Sequence, residues 1–181
     1  MISIIIPTMW FSDCLDNMVK KYDKIDEITE IIIIDNNVDG RRELQSDKIT
    51  FLTTGVNLYV NPAWNWGVRE AKEDIIIIAN DDIIVADGVI ENLDLKRGEI
   101  LGADMNKGLW GFGTFMVMYK DEYLKIPEEM KIWFGDNLQL QNKTLRQING
   151  IKTDMNTTIN SINCFDIIEE DKNIWTRLLS S

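Results

Sequence analysis

Four short stretches of the chain are rich in β-branched residues and lack the apolar–polar alternation of a half-exposed strand. They are SIIIP at 3–7, EIIIID at 30–35, ITFLT at 49–53 and DIIIIA at 74–79. Continuous runs of this kind predict strands buried on both faces, as in a parallel sheet covered by helices. Between them the period turns helical. Leu15, Met18, Val19 and Tyr22 fall at i, i+3, i+4 and i+7, which predicts an amphipathic helix over 12–22 with Ser12 as its N-cap. Trp64, Gly67, Val68 and Ala71 repeat the spacing, with Pro62 in the first turn and Asn61 as the cap. Trp64 and Trp66 fall on different faces of that helix, Trp64 on the core side. A β-α-β-link-β-α-β order thus fills 2–79, and right-handed crossovers wind it into a doubly wound sheet.

Beyond residue 80 the pattern is less regular. EILGADM (99–105) and GTFMVMYK (113–120) predict strands, FGDNLQLQNKTL (134–145) a helix and RQINGIKT (146–153) another strand. Asp166 and Glu169 have a capping-box-like spacing. They open a terminal helix whose Ile167, Ile168, Ile174, Trp175, Leu178 and Leu179 pack on the body. No linker, repeat or low-complexity tract divides the chain, so one domain over 1–181 is expected, with halves 1–86 and 87–181.

Composition narrows the chemistry. The 181 residues carry a net charge of −11, which argues against an extended nucleic-acid contact. The pairs Lys20–Lys21 and Arg41–Arg42 are too small to change that and read as solvated. The longest apolar runs fall far below the ~20 residues of a membrane span, and MISIIIPT reads as a strand rather than a signal peptide. There is no histidine, which removes His-based acid–base catalysis and the Ser-His-Asp triad. The two cysteines, Cys14 and Cys164, form no CxxC, so a structural zinc site is not expected. Two unpaired thiols suit a reducing, cytoplasmic compartment.

Ligands of open α/β sheets bind beyond the carboxyl ends of the strands. Polar residues gather there: Pro7-Thr8 after the first run, Asp35-Asn36-Asn37 after the second and Asn80-Asp81-Asp82 after the fourth. Asp35–Asn37 read equally well as a turn. The turn reading is weaker for Asn80–Asp82, because Ile83, Ile84 and Val85 follow at once. Two carboxylates in a buried stretch repel unless a cation or a proton relieves them. No EF-hand spacing is present. Magnesium or manganese shared with a diphosphate is therefore the favoured occupant.

SIIIPT, IIIIDNN and NLYVNPAWNWGVREAKEDIIIIANDDIIV, in that order, resemble the nucleotide-sugar-binding half of a family 2-like GT-A glycosyltransferase. The resemblance covers roughly 2–86 and is weaker to about 145. It implies a single GT-A (Rossmann-like) α/β domain with a mostly parallel central sheet flanked by helices. It also implies a metal-dependent, inverting transfer of sugar from a nucleoside diphosphate sugar, UDP-sugar favoured, to a glycan or other hydroxyl acceptor. In that pattern Pro7, Thr8, Asp35, Asn37, Asn65, Asn80 and Asp81 contact the donor. Asp35 holds the base, and Asn80 takes the first place of the D-x-D motif. Asp82 ligates Mn²⁺ or Mg²⁺, and Asp81 either assists or points away.

WFGDNLQL (133–140) resembles the Glu-Asp motif of the family, with Gly135 in place of Glu. The resemblance makes Asp136 the general base, although from the residues alone a helix N-cap fits as well. Trp110, Phe112, Trp133 and Phe134 are either core aromatics or the walls of an acceptor cleft. The late metal-binding His of many relatives is missing, and Asn156 stands roughly in its place. Two other readings remain open. One is a non-catalytic glycan- or nucleotide-binding protein on this scaffold. The other is a sugar nucleotidyltransferase, disfavoured because PTMWFSDC carries neither glycine nor a basic residue. The fingerprints G-x-G-x-x-G and G-x-x-x-x-G-K-[ST] are absent.

Overall fold

The computed structural model describes residues 1–37, 43–103, 112–154 and 164–180, the side chain of Phe165 excepted. Arg41, Arg42, Trp110 and Asn156 lie outside the described residues. The strands in chain order are β1 (Ile2–Thr8), β2 (Ile28–Asp35), β3 (Ile49–Thr53), β4 (Ile75–Ala79), β5 (Ile83–Val85), β6 (Glu99–Ala103), β7 (Phe115–Tyr119), β8 (Thr144–Ile148) and β9 (Ile151–Thr153). The helices are α1 (Cys14–Tyr22), α2 (Val60–Glu70), α3 (Gly135–Gln139) and α4 (Phe165–Leu179).

A seven-stranded sheet runs β3-β2-β1-β4-β7-β6-β8. Within it β7 alone runs against its neighbours β4 and β6, and the other pairings are parallel. The architecture is the mixed α/β sheet flanked by helices that the isoleucine runs predict. Side chains alternate across a strand, so each run feeds two cores. Ile4, Ile6, Ile31, Ile33 and Ile77 join α1 on one face. Ile5, Ile32, Ile34, Ile76 and Ile78 join Trp64 and Val68 of α2 on the other. Each buried isoleucine stabilises the fold by roughly 1.5–3 kcal/mol relative to exposure. Gly67 permits the close seating of α2, since a Cβ there would lie 2.3 Å from Ile5 Cγ2.

The sheet also opens a crevice. The chain winds outward through β1, β2 and β3, then returns to the far side of β1 as β4, which makes the β1–β4 boundary a topological switch point. The β1–β2 pairing continues to Thr8↔Asp35, but the β1–β4 pairing stops at Ile5↔Ile78. Pro7, with no N–H to give, falls beyond that last β1–β4 pair.

Several local expectations are corrected. The first helix begins at Cys14 rather than residue 12. Ser12 stands outside it and accepts the Cys14 N–H (3.1 Å) in a local turn. Asn61 is not a cap. Helix α2 starts at Val60 behind a left-handed Tyr59 (φ 64), and buried Asn61 instead donates to the Trp133 carbonyl (3.1 Å). The helix expected over 134–145 is only α3, because the chain turns left-handed at Asn142 (φ 63) and Thr144 begins a strand against β6. The strand expected over 146–153 is two strands, β8 and β9, parted at Gly150 (φ 89). Strand β9 leaves the large sheet and pairs with β5. Cys164 occupies the N-cap of α4 without a side-chain capping bond, so the Asp166–Glu169 box does not form. Among the described residues no helix is long and apolar enough to cross a membrane.

Candidate active site

The polar ends of β1, β2 and β4 meet at the switch point. Thr8 closes β1 and is buried. Its Oγ1–H donates to Asp81 Oδ2 across the gap to the β4 end (2.6 Å), and its Oγ1 accepts the Trp10 N–H (2.9 Å). Asp35 closes β2, and its Oδ1 accepts the Trp10 indole N–H (2.8 Å) and the Asn37 N–H (3.0 Å). Asn36 is spent on structure: its amide donates to the Tyr59 carbonyl (3.1 Å) and accepts the Leu58 N–H (3.1 Å), tying β2 to the start of α2. Asn37 donates to the Met9 carbonyl (3.4 Å) and stays beside Asp35.

Residues 80–82 form the turn between two sheets. The Asn80 N–H donates to the Thr114 carbonyl (2.9 Å), which fastens the β4 end to the residues before β7. Asp82 is 7% exposed, so one of the two acids does sit in the buried stretch. The β5–β9 pairing brings a further acid alongside. The Asp154 N–H donates to the Asp82 carbonyl (2.7 Å), and Cys14 Sγ–H donates to Asp154 Oδ2 (3.4 Å).

Asp136 reaches the same rim from the other half of the chain. Because β7 is antiparallel, its start lies beside the end of β4, with Ala79 opposite Phe115. Residues Phe112–Thr114 form a single 3-10 turn there. Gly113 is in tight contact with Asp136, where a Cβ on the glycine would stand 2.9 Å from Asp136 Cβ and 3.0 Å from Oδ2. Burial pushes the Asp136 carboxyl above its ordinary value, and hydrogen bonds from the backbone of Asn137, Asp136 and Gly113 pull the other way. Carboxyls shifted in this way are candidate proton-transfer groups.

Position 135 has no room for a side chain. A Cβ at Gly135 would lie 2.1 Å from Asn61 Oδ1 and 2.8 Å from Ile126 Cδ1. Gly135→Ala is therefore expected to cost about 1–3 kcal/mol of stability, seen as a lower urea midpoint, and a midpoint equal to wild type would contradict this packing.

Other expected site residues lie elsewhere. Asn65 is consumed by structure: it donates to the Ile126 carbonyl (2.8 Å) and accepts the Ile126 N–H (3.0 Å) and the Tyr123 O–H (3.0 Å). It lines a cleft of about 560 Å³ beside α2, with Thr54, Leu58, Trp66, Arg69, Tyr123 and Glu128, and none of Asp35, Asp81, Asp82 and Asp136 borders that cleft. Phe134 stacks on Trp175 of α4 (centroids 6.0 Å, planes 8° apart), and Phe112 packs against the second core.

Sequence reasoning missed three residues. Trp10 carried no motif. Asp154 follows a strand that the pattern merged with its neighbour. Asp171 of α4, itself wholly buried, accepts the N–H groups of Lys131, Ile132 and Trp133, each at 2.8 Å. Those residues immediately precede Phe134-Gly135-Asp136. Non-glycine residues with left-handed backbone occur at Trp10, Tyr59 and Phe134, each beside this rim (φ 63, 64 and 63). Such strain gathers at functional sites.

A divalent cation at this rim would need more than protein ligands. Among the described residues no three His, Cys, Asp or Glu side chains stand close enough to hold one unaided. Asp81 and Asp82 offer hard carboxylate oxygens, and magnesium-type sites commonly use one or two carboxylates plus substrate phosphates and water. The residues fit a cation shared with a diphosphate ligand.

A family model described as Glycosyl transferase family 2 matches residues 3–96. A comparison with curated protein sequences finds no match. Among solved structures, S. aureus TarS 1–349 superposes with a TM-score of 0.62 at 12% identity, covering 95% of this chain and 70% of that one. The glucosyl-3-phosphoglycerate synthase of Mycobacterium tuberculosis, with Mn²⁺, UDP and glucosyl-3-phosphoglycerate, superposes at 0.59 with 10% identity, covering 99% and 78%. Against a longer S. aureus TarS chain the values are 0.59 and 11%, and the present chain spans 38% of its length.

Proposed function

The chain belongs to glycosyl transferase family 2, and from that membership we propose that it moves a sugar from a nucleoside diphosphate sugar, UDP-sugar favoured, to an acceptor hydroxyl with inversion. One observation carries the reading. The β1–β4 switch point gathers Thr8, Asp35, Asn80, Asp81 and buried Asp82, and the antiparallel β7 brings Asp136 to the same rim. The Mn²⁺ and UDP in the mycobacterial synthase support the same assignment of donor and cation.

In this reading Asp35 faces the base, and Thr8, Asn37, Asn80 and Asp81 line the donor. Pro7 shapes the opening. Asp82 would hold Mn²⁺ or Mg²⁺, which when bound neutralises diphosphate charge and favours its departure. Asp136 accepts the proton of the attacking hydroxyl, so its carboxylate must lie within hydrogen-bond reach of the acceptor. Direct attack on the anomeric carbon by that hydroxyl gives inversion. Asn65, held as a structural clamp, contributes through packing.

The test uses the full chain, Mn²⁺ and UDP-sugars, with UDP release as the readout. Asp82→Asn is expected to weaken Mn²⁺-dependent UDP binding by roughly tenfold or more, because a charged ligand is lost. Unchanged binding and turnover in Asp82→Asn would remove the cation role. Donor binding without turnover by the wild type would instead favour a binding protein on this scaffold, and pyrophosphate release from a nucleoside triphosphate would favour a nucleotidyltransferase.

A further inference from the structure

Asp35 meets its surroundings asymmetrically. Both hydrogen bonds it receives from the described residues, from the Trp10 indole N–H (2.8 Å) and the Asn37 N–H (3.0 Å), fall on Oδ1. Oδ2 receives none of them. Trp10 cannot readily move. It is 6% exposed within the first core, tilts against Phe51 (centroids 6.4 Å, planes 39° apart) and holds a left-handed backbone (φ 63). Its own N–H donates to Thr8 Oγ1 (2.9 Å), and the Thr8 hydroxyl donates to Asp81 (2.6 Å). One residue thus links the end of β2 to the pair of acids after β4.

We propose that Trp10 is the positioning residue that sets base selectivity: with Asn37 it pins Asp35 Oδ1 and leaves Oδ2 as a fixed acceptor for a ring N–H of the donor base. The inference rests on the reading that Asp35 faces the base. A carboxylate oxygen accepts and does not donate. Uracil offers a ring N–H on its pairing edge, whereas cytosine offers a lone pair at the equivalent atom. An Oδ2 that cannot rotate away meets the first with a hydrogen bond and the second with lone-pair repulsion. A mobile carboxylate would discriminate less, because it could turn aside.

Pinning makes a further demand. In Asp35→Asn the two N–H donors still require an oxygen at the Oδ1 place, so the amide nitrogen must take the Oδ2 place. The acceptor becomes a donor, and the preference between the two bases should invert. An unpinned amide would flip to suit either base and show no inversion.

The experiment titrates the full chain, with Mn²⁺ present, with UDP, CDP and inorganic pyrophosphate by calorimetry. Wild type is expected to prefer UDP to CDP by about tenfold or more, the worth of one charge-assisted hydrogen bond. Trp10→Phe keeps an aromatic ring against Phe51 but removes the N–H. It should bind pyrophosphate as wild type does while the UDP-to-CDP ratio contracts several-fold. Loss of UDP and pyrophosphate affinity in equal measure would mark Trp10 as merely structural and overturn the proposal. Asp35→Asn keeps Trp10, so it carries the test even where Trp10→Phe fails to fold. Inversion toward CDP supports pinning, and weaker UDP binding without inversion overturns it. Failure of the wild type to bind either nucleotide overturns the donor reading itself, and this proposal with it. UDP binding with an unchanged ratio in Trp10→Phe overturns this proposal alone.

Discussion

Asp136→Asn is expected to reduce UDP-sugar turnover by about 10²–10⁴-fold, the usual contribution of a positioned general base, while UDP affinity stays at the wild-type value. Asparagine has the shape of aspartate and its oxygen still accepts the Asn137 N–H seen at 2.9 Å, although its amide nitrogen no longer accepts as the second carboxylate oxygen does. What is lost is the ability to take a proton. A fall in kcat/KM without a change in donor binding is the signature of an interaction made only in the transition state. Turnover within a few-fold of wild type would relegate Asp136 to the helix-start residue that its sequence position also allows.

The same residue predicts a pH dependence. Burial raises the Asp136 carboxyl above its ordinary value. A base must be deprotonated to work, so wild-type kcat/KM should climb as pH rises through that elevated value and then level off. Stability should run the other way. A carboxyl whose folded value exceeds its unfolded one stabilises the protein fully below the unfolded value near 3.9. That stability is lost as pH rises through the folded value. At neutral pH the buried carboxylate is thus a net cost, and Asp136→Asn should melt at a higher temperature than wild type there, with the gain vanishing in acid. Catalytic sites commonly carry such a conflict between activity and stability. A thermal melt of both proteins at pH 7 and in acid checks it.

How far the sequence revealed this site depends on where each residue lies. The isoleucine runs announce doubly buried strands because no polar position interrupts them, and Thr8, Asp35 and Asn80–Asp82 are conspicuous because they end such runs. Ser3 and Glu30 flank the same runs and are just as polar. They serve the opposite end, where the Ser3 hydroxyl donates to Glu30 (2.7 Å) and Glu30 also accepts the Lys72 N–H (3.0 Å). Strand direction, not polarity, separates the two sets. The second half hid more. Its strands β8 and β9 are contiguous in sequence yet belong to different sheets, a distinction made by the left-handed Gly150 and by pairing partners far along the chain. Asp154 was hidden for that reason. Gly135 read as a lost acid, but the buried Asn61 across the gap leaves it no room for a side chain, which no local pattern encodes. Trp10 belongs to no motif, and only its indole N–H joins it to Asp35.

Asp171→Ala is expected to be the most damaging single change to the fold near the site. The carboxylate is fully buried, and its oxygens accept one N–H from Lys131 and one each from Ile132 and Trp133. Removing it leaves three backbone donors without the partner they had, at about 1–3 kcal/mol for each one that water cannot reach. Three such donors come to roughly 3–9 kcal/mol, a large share of the ~5–15 kcal/mol that holds a domain together. The damage should also be directed. The freed backbone leads through Phe134, whose stack on Trp175 then fastens it to α4 alone, into Gly135 and Asp136. The terminal helix holds the turn that carries Asp136 through the Asp171 hydrogen bonds, the Phe134–Trp175 stack and the Lys131 Nζ–Glu170 ion pair (3.3 Å), and the alanine variant opens the first of these. Amide exchange at Lys131, Ile132 and Trp133 should accelerate well beyond that of the β1 and β2 amides, and the folded fraction should lose turnover before it loses UDP binding. An unfolding free energy within ~0.5 kcal/mol of wild type in urea titration, the range of ordinary surface substitutions, would show instead that water replaces the carboxylate and that the turn holds its shape without the Asp171 bonds.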